Sequence, residues 1–361
     1  MLRSSGVTLC VKGVTVWSRK RVGLAATGAG AVAAIATAVV CLTATAAPAA
    51  LVTPVARVAQ AAAPANPASA APAGVAAAPG VPAAPAAPAA AAAAAVASGP
   101  VAAGPVVALG DSYTAGDLLP LNLKATPLGC ARSAQAYPTL VANALKATLV
   151  DAACTGAGVQ DMTGAQQTYL GTNSPQLNVL APDDAVVMLT LGGDDMGFWS
   201  TLDTCMELSV TDLFGSPCER HFTSGGTDQL AARIAAEAAK VTAVLGDIRA
   251  RAPRARIVVV GYPDLFPQRG GCWPAVPITS GDIAYLRSLE IQLNAMLAAD
   301  AAAEGDTFAD TYTPTIGHDF CQSAKVKDVE GLIPTSLAYP FHPNARGQAA
   351  MAAAVLAALR S

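Results

Sequence analysis

The chain has 361 residues, of which 53% are hydrophobic, 5% aromatic and 13% charged, about half the charged fraction of an ordinary soluble domain. The charges are uneven: residues 1–46 carry five basic residues and no acid, 47–104 carry only Arg57, and 105–361 carry 16 basic and 25 acidic residues. The net charge of −9 on 105–361 argues against nucleic acid as a partner, because phosphate binding needs clustered lysine and arginine. The three segments are therefore interpreted separately.

Residues 1–47 have the composition of an export signal. Basic residues precede an uncharged run from Val22 to about Ala47, which ends in Ala44-Thr45-Ala46-Ala47. A basic start, an apolar centre and an Ala-x-Ala end predict a cleaved signal peptide and a secreted or envelope-associated protein. An uncleaved membrane anchor is the alternative, because a span needs about 20 apolar residues.

Residues 48–104 are predicted to be a disordered linker. With residue 47, the segment holds 30 alanines and 10 prolines in 58 positions and no aromatic residue, so it cannot build a core. The prolines favour extended polyproline II, which makes a semi-rigid spacer. Such a stalk would hold a domain away from a cell surface or wall; a remnant of genomic composition is the alternative.

Residues 105–361 are predicted to be one α/β domain and a monomer. Short apolar runs alternate with longer helical patterns, which is typical of a parallel sheet between two helical layers, a three-layer α/β/α sandwich. The predicted strands are Val106–Leu109, Thr148–Asp151, Ala185–Leu191, Ile257–Val260 and Thr307–Asp310. The predicted helices are Ala134–Ala147, Asp228–Ala252, Gly281–Ala303 and Ala345–Leu359. Ligands of such sheets bind beyond the carboxyl ends of the strands.

Six cysteines lie in this domain, at positions 130, 154, 205, 218, 272 and 321. No CxxC or HExxH pattern occurs, so we expect neither a metal nor another cofactor, and an exported context favours disulfides. Six cysteines allow 15 pairings, among which the spacing does not choose.

Ser112 directly follows the first predicted strand, within Gly110-Asp111-Ser112-Tyr113. A serine between a strand and a helix start exposes its hydroxyl beside backbone N–H groups, which is a nucleophile's position. The alternative for an isolated Gly-Asp-Ser is a helix N-cap.

A serine nucleophile needs a base, and the chain has three histidines: His221, His318 and His342. His221 and His318 lie in polar loop sequence and are interpreted as structural or surface residues. His342 precedes Pro343 and Asn344 at the start of the last predicted helix, so its backbone would be held. His342 is therefore the candidate base.

Four sequence blocks stand in one order along the chain: Gly110-Asp111-Ser112-Tyr113, Cys154-Thr155-Gly156-Ala157, Gly192-Gly193-Asp194-Asp195-Met196-Gly197-Phe198 and His342-Pro343-Asn344-Ala345. They resemble the blocks of the SGNH (GDSL-type) hydrolases, in particular the secreted actinobacterial lipases and esterases. The resemblance runs from about Val106 to the C-terminus. It implies the SGNH, flavodoxin-like form of the sandwich and a carboxylic ester hydrolase.

The resemblance also implies residue roles. Ser112 would attack the ester carbonyl while His342 moves the proton. The oxyanion would be held by the backbone N–H groups of Ser112 and Gly156 and by the side chain at position 194. The disulfides would be Cys130–Cys154, Cys205–Cys218 and Cys272–Cys321.

Two positions depart from the family pattern. Tyr339 stands where many members place an aspartate that orients the histidine; some secreted members use a backbone carbonyl, so we expect the Tyr339 carbonyl to orient His342. Asp194 replaces a neutral asparagine donor, and an ionised carboxylate cannot donate. Asp194 is either kept protonated by burial and by Asp195, or turned away in a slow esterase, or the mark of a lost activity. An altered but working hydrolase ranks first.

Apolar residues follow two of the blocks, as Leu118-Leu119-Pro120-Leu121 and Met196-Gly197-Phe198-Trp199. They are interpreted as an acyl pocket or, equally, as ordinary core. Thr201–Thr227 is the predicted lid or rim, and it lacks the aromatic stripe that binds sugars. The predicted function is a secreted serine esterase or lipase acting on acyl-lipid esters. The alternatives are a carbohydrate acetyl esterase and a non-catalytic wall- or lipid-binding module.

Overall fold

Seven strands, eight α-helices and three short 3-10 helices lie in the part of the chain that the computed structural model describes, Val101 and residues 103–361. The strands are β1 (Val106–Gly110), β2 (Leu149–Asp151), β3 (Gln166–Thr168), β4 (Gly171–Asn173), β5 (Val186–Thr190), β6 (Arg256–Val260) and β7 (Thr307–Ala309). The helices are α1 (Ser112–Ala115), α2 (Tyr137–Leu145), α3 (Gln160–Thr163), α4 (Phe198–Ser209), α5 (Pro217–Thr223), α6 (Gln229–Arg251), α7 (Ser280–Ala303) and α8 (Ala345–Ala358).

Five strands form one parallel sheet in the order β2-β1-β5-β6-β7, and β3 pairs with β4 in a separate antiparallel hairpin. All five residues of β1 and of β5 are buried, as expected of strands covered on both faces. Helices α6 and α7 pack together over one face, and α2 and α8 pack together over the other. The fold is the predicted three-layer α/β/α sandwich.

The strand order places the site. The chain moves from β1 to β2 on one side and later returns to β5 on the other side of β1. Such a switch point leaves a crevice beyond the carboxyl ends of the strands. Gly110 at the end of β1 pairs with Thr190 at the end of β5, so the segments that follow these two strands start side by side.

The five predicted strands and four predicted helices are all present, with ends within three residues of the expectation. The three predicted disulfides, Cys130–Cys154, Cys205–Cys218 and Cys272–Cys321, are also present. The hairpin β3–β4 and the helices α4 and α5 were not predicted.

The predicted signal segment 1–47 and nearly all of the predicted linker 48–104 lie outside the described residues. Within the described residues, no helix combines the length and the apolarity needed to cross a membrane.

Candidate active site

Ser112 and His342 meet beyond the carboxyl end of β1. Asp111 caps α1 by accepting a hydrogen bond from the Tyr113 N–H at 2.9 Å, which fixes Ser112 as the first residue of that helix. The Oγ of Ser112 lies 2.7 Å from the Nε2 of His342. Both side chains are nearly buried, with exposed fractions of 6% and 8%. This distance permits direct proton transfer between hydroxyl and imidazole.

The second ring nitrogen of His342 fixes the tautomer. Nδ1 lies 2.8 Å from the carbonyl oxygen of Pro340, which can only accept a hydrogen bond, so the proton belongs on Nδ1. Nε2 then carries the lone pair that faces Ser112. Burial lowers the pKa of His342, and the contacts with Pro340 and Asp117 oppose this only in part. The imidazole is therefore the neutral, basic form at pH 7.

The carbonyl that orients His342 is not the predicted one. Tyr339 uses its carbonyl to accept the backbone N–H of His342 at 3.0 Å, which closes a turn. Pro340 occupies the second position of this turn, and Phe341 follows with a φ of +61°, the pattern of a type II turn. The central peptide of the turn therefore presents the Pro340 carbonyl to the ring. The Tyr339 side chain instead lies edge-on to His342, with ring centres 5.3 Å apart.

The loop of residues 339–342, here called the histidine loop, is held by two other segments of the chain. From the nucleophile segment, the hydroxyl of Tyr113 donates to the carbonyl of Phe341 at 2.7 Å. From the second segment, Glu330 exchanges backbone hydrogen bonds with Phe341 and His342, and its carboxylate pairs with the buried Lys327 at 2.9 Å. Because these contacts come from separate segments, His342 is fixed relative to Ser112.

The backbone N–H groups of Ser112 and Gly156 are the two predicted oxyanion donors. Gly156 has a φ of +72°, a conformation that side chains rarely adopt, in the loop that Cys154 joins to Cys130. Within the described part of the chain, no group accepts a hydrogen bond from the N–H of Ser112 or of Gly156. Both residues line the same pocket, so both donors are available to a bound substrate.

Asp194 lines this pocket as well, in the segment that follows β5. Residue 194 is exposed toward the pocket solvent, while nearby protein atoms displace part of the water around its carboxyl group. Loss of bulk solvation raises the pKa of Asp194 to about 7, helped by the charges of Asp195, Asp161 and Asp117. A carboxyl group with this pKa is protonated in a large fraction of molecules at neutral pH and can then donate a hydrogen bond.

The pocket has a volume of about 350 Å³ and a mostly apolar wall away from Ser112. Met196, Phe198 and Trp199 line it, as one of the two interpretations of that block expected. The Leu118–Leu121 block does not line it: Leu118 is 51% exposed and Leu119 is buried in the core. Further apolar lining comes from the loop after β6 and from one face of α7, namely Leu265, Phe266, Leu286, Leu289 and Leu293.

The remaining candidates lie away from the pocket. His221 is exposed, the side chain of His318 is 44% exposed, and neither lines the pocket, consistent with their surface interpretation. Of the predicted lid Thr201–Thr227, only Thr201 contributes to the wall. The rest forms parts of α4 and α5, and the carboxylate of Asp282 on α7 accepts the N–H groups at the start of α5. No group of potential metal ligands occurs among the described residues.

Sequence reasoning missed three contributors to the site. The Pro340 carbonyl depends on a turn type, and the leucines of α7 follow a helical stripe that any core helix would show. The third contributor is Tyr262, whose hydroxyl contacts the segments of Ser112 and Asp194. Unlike the other two it could have been found from the sequence, because a residue just after β6 lies at the ligand-binding edge of the sheet.

Comparisons with known proteins identify the family of the chain. A model of the GDSL-like lipase/acylhydrolase family matches residues 108–350. Lipase 2 of Streptomyces coelicolor is 37% identical over 252 residues, which cover 68% of this chain and 82% of the relative. The lipase of Streptomyces rimosus is 30% identical over 258 residues, covering 69% and 84%.

Two solved structures share the fold. Phospholipase A1 from Streptomyces albidoflavus NA297 has a TM-score of 0.60 at 26% identity, over 71% of this chain and all of that one. The extracellular lipase from Streptomyces rimosus has a TM-score of 0.59 at 28% identity, with the same coverage. The chain therefore belongs to the GDSL-like lipase/acylhydrolase family of carboxylic ester hydrolases.

Proposed function

We propose that the protein is an exported serine esterase for acyl-lipid esters, in which Ser112 is the nucleophile and His342 the general base. The observation that carries the proposal is the 2.7 Å contact between the two side chains in the wall of an apolar pocket of about 350 Å³. A pocket of this size lies within the range of small-molecule sites.

In the first step His342 Nε2 takes the proton of Ser112 Oγ while the oxygen attacks the ester carbonyl. The Nδ1–H bond to Pro340 stabilises the imidazolium that forms, without placing a second buried charge beside it. Collapse of the tetrahedral intermediate expels the alcohol, which takes the proton from Nε2. Water then attacks the acyl-serine with His342 as base again, releasing the acid and restoring Ser112.

The negative charge that develops on the carbonyl oxygen is held by three donors in this proposal. Two are the N–H groups of Ser112 and Gly156. The third is the carboxyl group of Asp194 in its protonated form, which takes the place of the family's asparagine. A missing oxyanion donor costs about 10²–10³ in rate, so the protonation state of Asp194 would set much of the activity.

The apolar wall supports an acyl chain as the group that fills the pocket. Burial of each methylene is worth about 0.8 kcal/mol, so a chain that reaches the leucines of α7 gains binding energy that an acetyl group cannot. This favours acyl-lipid esters over carbohydrate acetyl esters. Export is supported by the basic and apolar start of the chain and by the extracellular S. rimosus relative.

Labelling with a fluorophosphonate probe tests the proposal, because the probe reacts with an activated serine. We expect wild type and Ser288→Ala, which alters an exposed serine on α7, to be labelled equally, and Ser112→Ala not to be labelled. Peptide mass analysis should place the adduct on Ser112. Absence of labelling between pH 5 and 9, with lipid still retained, would instead support the non-catalytic binding module.

A further inference from the structure

A single phenol joins the nucleophile segment to the segment of Asp194. The hydroxyl of Tyr262 donates to Oδ2 of Asp111 at 2.6 Å and accepts the backbone N–H of Gly193 at 2.8 Å. Asp111 directly precedes Ser112, and Gly193 directly precedes Asp194. The position of one side chain therefore influences both partners of the developing oxyanion.

Tyr262 is itself held firmly. Its backbone N–H donates to Oδ1 of Asn294 at 2.8 Å, and its carbonyl accepts from Nδ2 of the same residue at 3.0 Å. Asn294 belongs to α7, a helix of 24 residues that packs against the sheet. The Tyr262 ring also lies edge-on to Tyr113, with ring centres 5.0 Å apart. A buried side chain fixed at both ends makes a rigid spacer.

Position 193 is shaped for this contact. A Cβ atom added to Gly193 would lie 2.9 Å from the hydroxyl oxygen of Tyr262, closer than real Cβ contacts, and 3.1 Å from the carbon that bears it, closer than most of them. Only glycine lets the Gly193 peptide approach the phenol closely enough for the hydrogen bond. The contact between Gly193 and Tyr262 thus fixes the position of the segment that carries Asp194.

The Tyr262 hydroxyl bonds only one of two interacting carboxyl groups: it contacts Asp111 and not Asp194. The charge of Asp194 raises the pKa of the buried Asp111, after desolvation, so the two groups compete for one proton. Asp111 accepts hydrogen bonds from Tyr262 and from the Tyr113 N–H, which stabilise its anion. Among the described residues, no group donates a hydrogen bond to the Asp194 carboxyl, and the other charged groups facing it are Asp195, Asp161 and Asp117. These hydrogen bonds offset burial only in part, so the pKa of Asp111 stays well above its ordinary value and Asp111 holds its proton in preference to the more exposed Asp194.

We propose that Tyr262 is a positioning residue of the reaction: its hydroxyl fixes the Gly193–Asp194 segment against the Asp111–Ser112 segment. The inference rests on the proposed function, and it adds the side chain that sets the place of residue 194 relative to the nucleophile.

The test is Tyr262→Phe, which removes the hydroxyl and keeps the ring. We expect kcat to fall roughly 10- to 100-fold with KM within about twofold, because the loss concerns an interaction of the transition state. The decisive readout is this split between kcat and KM, because a tyrosine that only supported the fold would leave both constants of the folded enzyme unchanged.

Two further variants separate charge from position. Asp111→Asn keeps an acceptor for the Tyr262 hydroxyl, so it should keep kcat closer to wild type than Tyr262→Phe does. Tyr262→Phe combined with Asp194→Asn should have a lower kcat than Asp194→Asn alone, because the loss of position does not depend on the charge at residue 194. Tyr285→Phe is the matched control: its hydroxyl bonds Asp228 at a distance of 2.9 Å and does not line the pocket, so we expect kcat and KM to be unchanged.

A Tyr262→Phe enzyme with the wild-type kcat would overturn the inference. So would a lower melting temperature with kcat and KM unchanged, which is what a purely structural tyrosine would give. Failure of the proposed function looks different, because wild type itself would then resist fluorophosphonate labelling.

Discussion

Ser112 Oγ and His342 Nε2 lie 2.7 Å apart although 230 positions separate the residues in the chain. The first strand of the sheet delivers the serine, and the turn before the last helix delivers the histidine. A type II turn supplies the carbonyl that orients the imidazole, so the site needs no acidic side chain as a third member. The orientation of His342 therefore depends on the geometry of this turn.

Replacement of His342 by alanine is expected to lower kcat by about 10²–10⁴, because general acid–base catalysis contributes on that order. KM should change little, since the imidazole does not form the apolar wall. Hydrolysis of p-nitrophenyl esters measures both constants. His318→Ala, at an exposed histidine, is the control and should match wild type; a loss below tenfold in His342→Ala would speak against a base at this position.

The activity should show a bell-shaped dependence on pH. Burial lowers the pKa of His342, so the base becomes available already below pH 6.5 and the acidic side of the profile rises there. The raised pKa of Asp194, about 7, means that its donor form is present below that pH and is lost as the pH rises through it. We expect kcat/KM to be greatest between these two values. A flat profile up to pH 9 would contradict a protonated Asp194.

Much of this site follows from residue type, and parts of it do not. The strands of the central sheet are continuous apolar runs, which need no tertiary information to be recognised. The hairpin β3–β4 consists of two three-residue strands with polar side chains, so no periodicity marks it. The Pro340 carbonyl replaces that of Tyr339 because Phe341 adopts a positive φ, a choice made by the surrounding contacts and not by an aromatic residue's own preference.

The pocket wall could be predicted only in part for a related reason. Met196, Phe198 and Trp199 follow a strand of the binding edge, so their place in the sheet predicts their role. Leu289 and Leu293 lie on a helix whose buried face looks the same whether it covers core or ligand. Only the packed structure shows that part of this face is left open to the pocket.

A bulky residue in the wall should shorten the preferred acyl chain. Leu289→Trp fills the part of the pocket along α7, and the loss of two methylenes of burial corresponds to about a tenfold lower kcat/KM for long chains. Activity on p-nitrophenyl acetate should persist. Ile291→Trp is the matched control, because Ile291 is 42% exposed on the same helix. Equal losses on short and long esters would contradict this location of the acyl chain.

The buried pair Lys327–Glu330 should dominate the stability of the histidine loop. The side chains are 6% and 0% exposed, and Glu330→Gln would leave the lysine charge without its partner. We expect the free energy of unfolding to fall by about 3–5 kcal/mol, as for other broken buried pairs. Denaturation in urea measures this. Asp212→Asn breaks the exposed pair with Arg220 and should leave stability unchanged.

The same carboxylate predicts a pH dependence of stability. Burial opposes ionisation of Glu330, but hydrogen bonds from Asn344, Thr335 and Lys327 outweigh it and lower its pKa. A lowered pKa stabilises the fold above the ordinary glutamate value, and this contribution is lost as the pH falls through the folded-state value. As the pH is lowered from 5 into the acidic range, the free energy of unfolding should therefore fall more for wild type than for Glu330→Gln. Parallel curves for the two proteins would contradict this role.

The most direct test of the proposed mechanism is kcat/KM of wild type and Asp194→Asn, measured on one p-nitrophenyl ester from pH 5.5 to 9. A protonated Asp194 that donates to the oxyanion predicts similar activities near pH 5.5 and, at pH 9, a variant about 10²-fold more active than wild type. An Asp194→Asn enzyme that is less active than wild type across the whole range would contradict it.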